Sequence, residues 1–121
     1  MKYLLLIYDE EKTWEGLSEG DQKKMMGEYR EFTQQIKASG NHIGGHQLAP
    51  ISTATSVRVR NGKRLLTDGP FAETREQLGG YYLVDAKDLD EAIGLASRIP
   101  SALFGTVEVR PIIEAAVPQP A

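Results

Sequence analysis

The chain has 121 residues, of which 40% are hydrophobic, and a formal net charge of −3 from 14 basic and 17 acidic residues. These values indicate one globular domain with its own core, and the lack of cysteine excludes disulfides, zinc–thiolate sites and a thiol nucleophile. The sequence has no basic stripe of the kind that binds nucleic acids. No apolar run approaches the roughly 20 residues of a membrane span, and no signal-peptide pattern precedes the first strand. We therefore expect a cytoplasmic protein.

The first part of the chain predicts a strand, a helix and a looser strand. Residues 3–8 are a short apolar run with the length and residue types of a central strand. Ser18 is the expected N-cap of a helix that stops at Gly40. The apolar side chains of this helix recur at helical spacing and predict one core-facing stripe. They are Met25, Tyr29, Phe32 and Ile36. Residues 41–50 follow as a strand interrupted by two glycines.

The middle of the chain predicts a β-hairpin and a loop. Residues 55–60 alternate apolar and polar side chains, and residues 63–67 form the return strand. Between them lies Asn61-Gly62, the strongest short signal for a two-residue hairpin turn. Residues 68–78 are expected to form a structured loop that is rich in acidic side chains.

The last part of the chain predicts another strand–helix–strand unit. Residues 81–85 are a strand, and the helix begins at the N-cap Asp88, with Glu91 at the capping-box position. Pro100 ends this helix, and residues 106–113 are the final strand. The order β-α-β, hairpin, β-α-β predicts an α+β, ferredoxin-like fold with an antiparallel sheet and two helices on one face.

Two helices leave the second face of such a sheet uncovered, and Leu4, Leu6 and Tyr8 are candidates to lie there. We therefore expect a homodimer whose sheets pack face to face around a small-molecule cavity. A monomer with a modestly polar open face is the alternative. The domain is assigned to residues 1–114, and residues 115–121 are predicted to be a disordered C-terminal tail.

Asp68 and His46 are the candidate catalytic residues. Asp68 lies in Asp-Gly-Pro, where its carboxylate either caps the turn or acts as an acid at a cleft. His46 can act as a general base near neutral pH, or can be exposed without a role. A regular strand would place His42 and His46 on one face, about 13 Å apart, which is too far to share a metal. Because no phosphate-binding loop is present either, no metal and no cofactor are predicted.

Charged side chains two residues apart on predicted strands form a candidate ligand clamp. Glu108 and Arg110 share one face of their strand. Together with Arg58 they could hold a small anionic ligand if that face lies inside the dimer. A structural salt-bridge network is the alternative. Tyr8 and Tyr81 would line the same cavity.

Four segments of the sequence resemble the DGPF branch of the YCII-related family. Residues 67–82 read TDGPFAETREQLGGYY, residues 1–8 MKYLLLIY, residues 53–60 TATSVRVR and residues 105–111 GTVEVRP. The resemblance covers nearly the whole chain. It implies a ferredoxin-like domain of the dimeric α/β-barrel group and a regulatory role linked to sigma factors of the extracytoplasmic-function type.

The shorter YCII branch of that family is thought to use a histidine and an aspartate in an enzymatic pocket. The corresponding positions here hold Tyr29 and Ile99, so that mechanism is not carried over. The absence of that histidine–aspartate pair favours a metabolite-binding or regulatory module, and the resemblance implies a sigma factor as a possible partner. The alternatives are an enzyme that uses acid/base chemistry on a small anionic or aromatic substrate, and a structural domain without a ligand.

Overall fold

The computed structural model describes residues 1–114, so the expected tail at 115–121 lies outside the described residues. The elements in chain order are β1 (Lys2–Asp9), α1 (Glu11–Glu15), α2 (Glu19–Ala38), β2 (His42–Gln47), β3 (Thr55–Arg60), β4 (Lys63–Asp68), β5 (Gln77–Asp85), α3 (Leu89–Ser97) and β6 (Thr106–Pro111), with 3₁₀ turns at Ile51–Thr53 and Pro100–Leu103. The antiparallel sheet has the order β2-β5-β1-β6. This arrangement confirms the predicted α+β, ferredoxin-like fold.

The core lies between the sheet and the two longer helices. Alternate residues of β1 point into it, and Leu5 at the centre is fully buried. The helices contribute Phe32 and Ile36 from α2 and Ala92, Leu95 and Ala96 from α3. The predicted helical stripe is therefore only half core. Its N-terminal members, Met25 and Tyr29, are half-buried and line a cavity, although Tyr29 also packs against the core.

The predicted helix ends are confirmed by their hydrogen bonds. The side chain of Ser18 accepts a hydrogen bond from the Asp21 amide at 3.1 Å, and Asp88 accepts one from the Glu91 amide at 2.9 Å. Gly40 has a φ of +82°, the left-handed conformation that favours glycine after a helix. The predicted capping box does not close, because the Glu91 carboxylate instead accepts a hydrogen bond from the Asn41 side chain at 2.9 Å.

The β3–β4 hairpin forms as predicted but stands apart from the main sheet. Asn61 and Gly62 have φ values of +53° and +75°, as a two-residue turn between twisted strands requires. Both hairpin strands are exposed on nearly every residue, including Val57 and Leu66. The sequence did not predict α1, because five residues are too few to show a helical period.

The sheet face opposite the helices carries the alternate residues of each strand. On β1 these are Leu4, Leu6 and Tyr8, which are only partly buried because the core lies on the other side. An apolar face of this kind is the feature from which a homodimer is expected. Within residues 1–114 no helix combines the length and apolar character that crossing a membrane requires.

The contribution of Leu5 to the core can be tested by comparing the stability cost of replacing it with that of replacing an exposed leucine. We expect Leu5→Ala to lower the free energy of unfolding by about 3 kcal/mol, because its side chain is 0% exposed. The matched change Leu103→Ala, at a side chain that is 89% exposed, should cost less than about 0.5 kcal/mol. Urea unfolding measures both. Equal losses in the two variants would contradict this core.

Candidate functional site

A cavity of about 750 Å³ lies between α2 and the β2–β5 side of the sheet. Most of its surface is apolar or aromatic, with side chains from α1, α2 and β5. Those that matter below are Trp14, Met25, Met26, Tyr29 and Tyr82. A cavity of this size, with a mostly apolar surface and polar groups such as Asp9, Ser101 and His42 among its lining residues, is typical of a small-molecule site.

Three side chains join at this cavity in a continuous chain of hydrogen bonds. Ser101, which is 1% exposed, donates its hydroxyl proton to Oδ2 of Asp9 at 3.1 Å. The hydroxyl of Tyr29 is hydrogen-bonded to Oγ of Ser101. Because Ser101 has one proton to give, Tyr29 must be the donor in its bond. The chain therefore runs from phenol to serine to carboxylate.

The backbone brings these three residues together by a close approach at Gly105. A Cβ placed on Gly105 would collide with the carbonyl oxygen of Tyr8 and lie 3.0 Å from Cβ of Asp9. Only glycine lets the segment after the Pro100–Leu103 turn pass this near to the end of β1. The amide of Gly105 also donates to the Ser101 carbonyl at 2.7 Å, which fixes Ser101 beside Asp9.

A second phenol is fixed in the same cavity. Thr33 of α2 donates its hydroxyl proton to the Tyr29 carbonyl at 2.9 Å, so the Tyr82 hydroxyl donates to Oγ1 of Thr33 at 2.7 Å. The rings of Tyr82 and Phe32 meet edge to face, with centroids 5.3 Å apart. Tyr82 is thereby anchored between the core and the cavity wall.

Burial changes the proton affinity of these groups. Desolvation raises the pKa of Asp9, opposed by the Ser101 hydrogen bond and reinforced by the charges of Glu76 and Glu11. Desolvation also raises the pKa of Tyr29 and of Tyr82, so both phenols stay protonated at neutral pH. The pKa of His42, another lining residue, is lowered by desolvation and by the charge of Lys37.

By strand register, five of the residues predicted from the sequence lie on the open face of the sheet, and two of them, His46 and Tyr81, are also among the residues that line the cavity. The strand registers align His46 with Tyr81, and Leu6 with both Tyr81 and Glu108. Nδ1 of His46 is 2.8 Å from the Tyr81 hydroxyl. Arg110 donates to Glu108 at 2.8 Å, which matches the predicted alternative of a salt bridge. Tyr8 lies on this face as well.

The predicted arrangement of the two histidines is wrong. β2 has an irregularity between His42 and Gly44, so the simple alternation of a strand does not hold across it. His42 pairs with Val84 on the core side and its ring lies 6.3 Å from that of Tyr82, whereas His46 bonds Tyr81 on the open side. No group of three or more His, Asp or Glu side chains in residues 1–114 could hold a metal ion.

Arg58 and Asp68, the two other predicted site residues, lie on the hairpin. Both are exposed, on β3 and β4 respectively, and neither lines the cavity. Within residues 1–114 the Asp68 carboxylate accepts no hydrogen bond; the turn is held instead by the Gly69 amide, which donates to the Ala54 carbonyl at 2.6 Å. The interpretation of Asp68 as a turn cap is therefore wrong.

Sequence reasoning missed Asp9 and Ser101. Asp9 continues the alternation that places every second residue of β1 on the core side, but the predicted strand ended at Tyr8, so Asp9 was not assigned to that side. Ser101 follows the helix-ending Pro100 in what the sequence presents as an ordinary loop. The usable signal was the glycine at 105, four residues after the serine, because an unexplained glycine before a strand often marks a close backbone approach.

Comparison with known proteins identifies a family and a similar protein. Residues 1–116 match the YCII-related domain family. An uncharacterised protein of Rhizobium meliloti (strain 1021) is 33% identical over 114 residues, which cover 93% of this chain and 92% of that protein. The similarity thus extends over the whole domain, including the segments that carry Asp9 and Ser101.

The raised pKa of Asp9 predicts a pH-dependent effect on stability. The folded chain holds this proton more tightly than the unfolded chain, so Asp9 lowers stability progressively as the pH rises from its ordinary value of 3.8 through the raised folded value. We expect Asp9→Asn to gain stability relative to the wild type over that interval, measured by thermal unfolding from about pH 3 to about pH 7.

Asp68→Asn is the control for this experiment, because it removes one carboxylate from an exposed position. We expect it to show a clearly smaller gain with pH than Asp9→Asn. A wild type whose advantage over Asp9→Asn grows with rising pH would contradict a desolvated Asp9.

Proposed function

The chain belongs to the YCII-related family, and from the geometry of its cavity we propose that it is a small-molecule-binding protein. The observation that carries the proposal is the hydrogen-bonded chain of Tyr29, Ser101 and Asp9 in a cavity of about 750 Å³. A few fixed polar groups within an apolar lining give a ligand both affinity and orientation. As a binding module the protein would pass its ligand state to a regulatory partner such as a sigma factor, the role implied by its resemblance to DGPF proteins.

The unfavourable desolvation of the Asp9 carboxylate supports a role for this residue in function rather than in stability. Desolvation disfavours its charged form, so the carboxylate reduces stability at neutral pH. A leucine or an asparagine of similar size could fill the same place without that penalty. Groups kept at the expense of stability are concentrated at binding and catalytic sites.

A thermal-shift screen of a small-molecule library tests this function. A ligand that binds the folded chain at a concentration of 100 times its Kd should add about 2.7 kcal/mol to the free energy of unfolding. We expect Asp9→Asn to weaken hits that raise the wild-type Tm, because the cavity then lacks its carboxylate. Each shift is taken against the variant's own Tm without ligand, so altered stability does not enter the comparison.

Asp68→Asn serves again as the matched control, because it lies outside the cavity, and it should keep every hit. If all hits bind Asp9→Asn and the wild type equally, or if they are lost only with Asp68→Asn, the hydrogen-bonded chain that ends at Asp9 is not part of the binding site.

We also propose that the protein is a homodimer that pairs through the open face of the sheet. That face carries the apolar side chains Leu4, Leu6 and Leu83 together with Tyr8 and Tyr81, all only partly buried. A second copy related by a two-fold axis would cover them. Glu108, Arg110 and His46 would then lie inside the interface, where the anionic ligand predicted from the sequence could reach Arg110.

Sedimentation analysis at micromolar concentration tests the dimer. We expect a species of twice the 13.4 kDa chain mass. Leu6→Glu should shift it to the monomer, because dimerisation would bury the new carboxylate in the interface without a partner. Leu66→Glu, on the exposed hairpin, should leave the mass unchanged. A wild-type monomer, or a dimer that survives Leu6→Glu, would contradict this interface.

A second candidate function is acid/base catalysis on a small substrate, favoured by the raised pKa of Asp9. Asp9 would exchange a proton with the substrate, while Ser101 and Tyr29 orient its carboxyl group. Turnover of a bound hit by the wild type, lost in Asp9→Asn with binding retained, would separate this function from simple binding.

A further inference from the structure

The carboxylate of Asp9 has one oxygen engaged and the other free. Oδ2 accepts the Ser101 hydroxyl at 3.1 Å, whereas Oδ1 accepts no hydrogen bond from the described residues 1–114. A methyl group placed on Gly79 would come 3.7 Å from Oδ1 and no nearer than 4.0 Å to other atoms. Space beside Oδ1 is therefore open to the cavity that Asp9 and Gly79 both line.

The charges that act on Asp9 are acidic. Glu76 and Glu11 both raise its pKa, and no basic side chain is among the causes of that shift. The Glu11 carboxylate accepts the Ile51 amide at 2.8 Å and Glu76 accepts the Thr106 hydroxyl at 2.9 Å. Within residues 1–114 none of the three acids forms a salt bridge. The potential at Oδ1 thus favours a cation and disfavours an anion.

The walls of the cavity suit a ligand whose apolar part lies next to a cationic group at Oδ1 of Asp9. Trp14, Tyr29 and Tyr82 provide aromatic rings, and Met25 and Met26 provide deformable thioether chains. Aromatic faces attract a nearby ammonium group in addition to their apolar contacts. The two basic lining residues on α2 are exposed and do not act on the pKa of Asp9. They are Arg30 and Lys37.

We infer that the ligand of this cavity is a protonated amine carried on an aromatic or apolar body, with the ammonium group at Oδ1 of Asp9. The inference rests on the proposed binding function and adds the charge and orientation of the ligand. It differs from the sequence-based expectation of an anionic ligand, which placed the ligand beside Arg58 and Arg110.

Three probes of one shape test the charge: 2-phenylethylamine, 2-phenylethanol and 3-phenylpropanoate, titrated into the whole chain at neutral pH and followed by NMR. The amine should bind about tenfold more tightly than the alcohol, the factor expected for a charge-assisted hydrogen bond. The carboxylate should bind more weakly than either. Asp9→Asn should remove the difference between amine and alcohol.

Gly79→Ala is a second variant that leaves Asp9 in place. Its methyl group would make only ordinary contacts, so the fold should be kept while the approach to Oδ1 is blocked and amine affinity falls. Asp68→Asn should bind all three probes as the wild type does.

The alcohol or the carboxylate binding in the cavity as tightly as the amine would overturn the inference and leave the cavity as a binding site. Amine binding that is unchanged in both Asp9→Asn and Gly79→Ala would overturn it too. Failure of all three probes to bind would also count against it, and the wider library screen then decides the binding function separately.

Discussion

The desolvation of one carboxyl group, that of Asp9, is the constraint on which the site depends. Asp9 ends the central strand β1, and the fold holds it between a buried serine and a cavity rather than in bulk water. Without a compensating hydrogen bond, a desolvated carboxylate at this position would only destabilise the folded chain. The hydrogen bond from Ser101, itself fixed by Tyr29 and by the turn before Gly105, compensates one oxygen and leaves the other free. A ligand that donates a hydrogen bond can therefore pair with the free oxygen of the Asp9 carboxylate.

The architecture explains why the cavity lies where it does. α2 is long, and its fully buried contacts with the core come from Phe32 and Ile36 near its C-terminal end. Met25 and Tyr29, earlier in the helix, line the cavity beside β2 and β5, where glycines replace side chains. A Cβ at Gly45 or at Gly80 would come within 3.0 Å of a backbone carbonyl on the neighbouring strand. The two strands therefore approach closely and leave space between themselves and the helix, so that one continuous helix serves both the core and the cavity.

Much of the fold could be predicted from the sequence because its signals are local. The cap at Ser18, the stop at Gly40 and the turn at Asn61-Gly62 each depend on a few adjacent residues, and all three are confirmed. The site could not be predicted in the same way. Asp9 and Ser101 are 92 residues apart and meet only through tertiary packing, and the irregularity in β2 reversed the expected face of His42. Charged residues on regular strands are easier to recognise in a sequence, which is why Glu108 and Arg110, on the opposite face, were predicted as site residues.

A crystal structure of the chain with a bound small molecule is the most direct test of this account. The account predicts ligand density between α2 and β5, with a donor atom within about 3.2 Å of Oδ1 of Asp9 and the Ser101 hydrogen bond intact. Density instead on the open face of the sheet, between Tyr8 and Arg110, with only water beside Asp9, would contradict it and would return the site to the residues first suggested by the sequence.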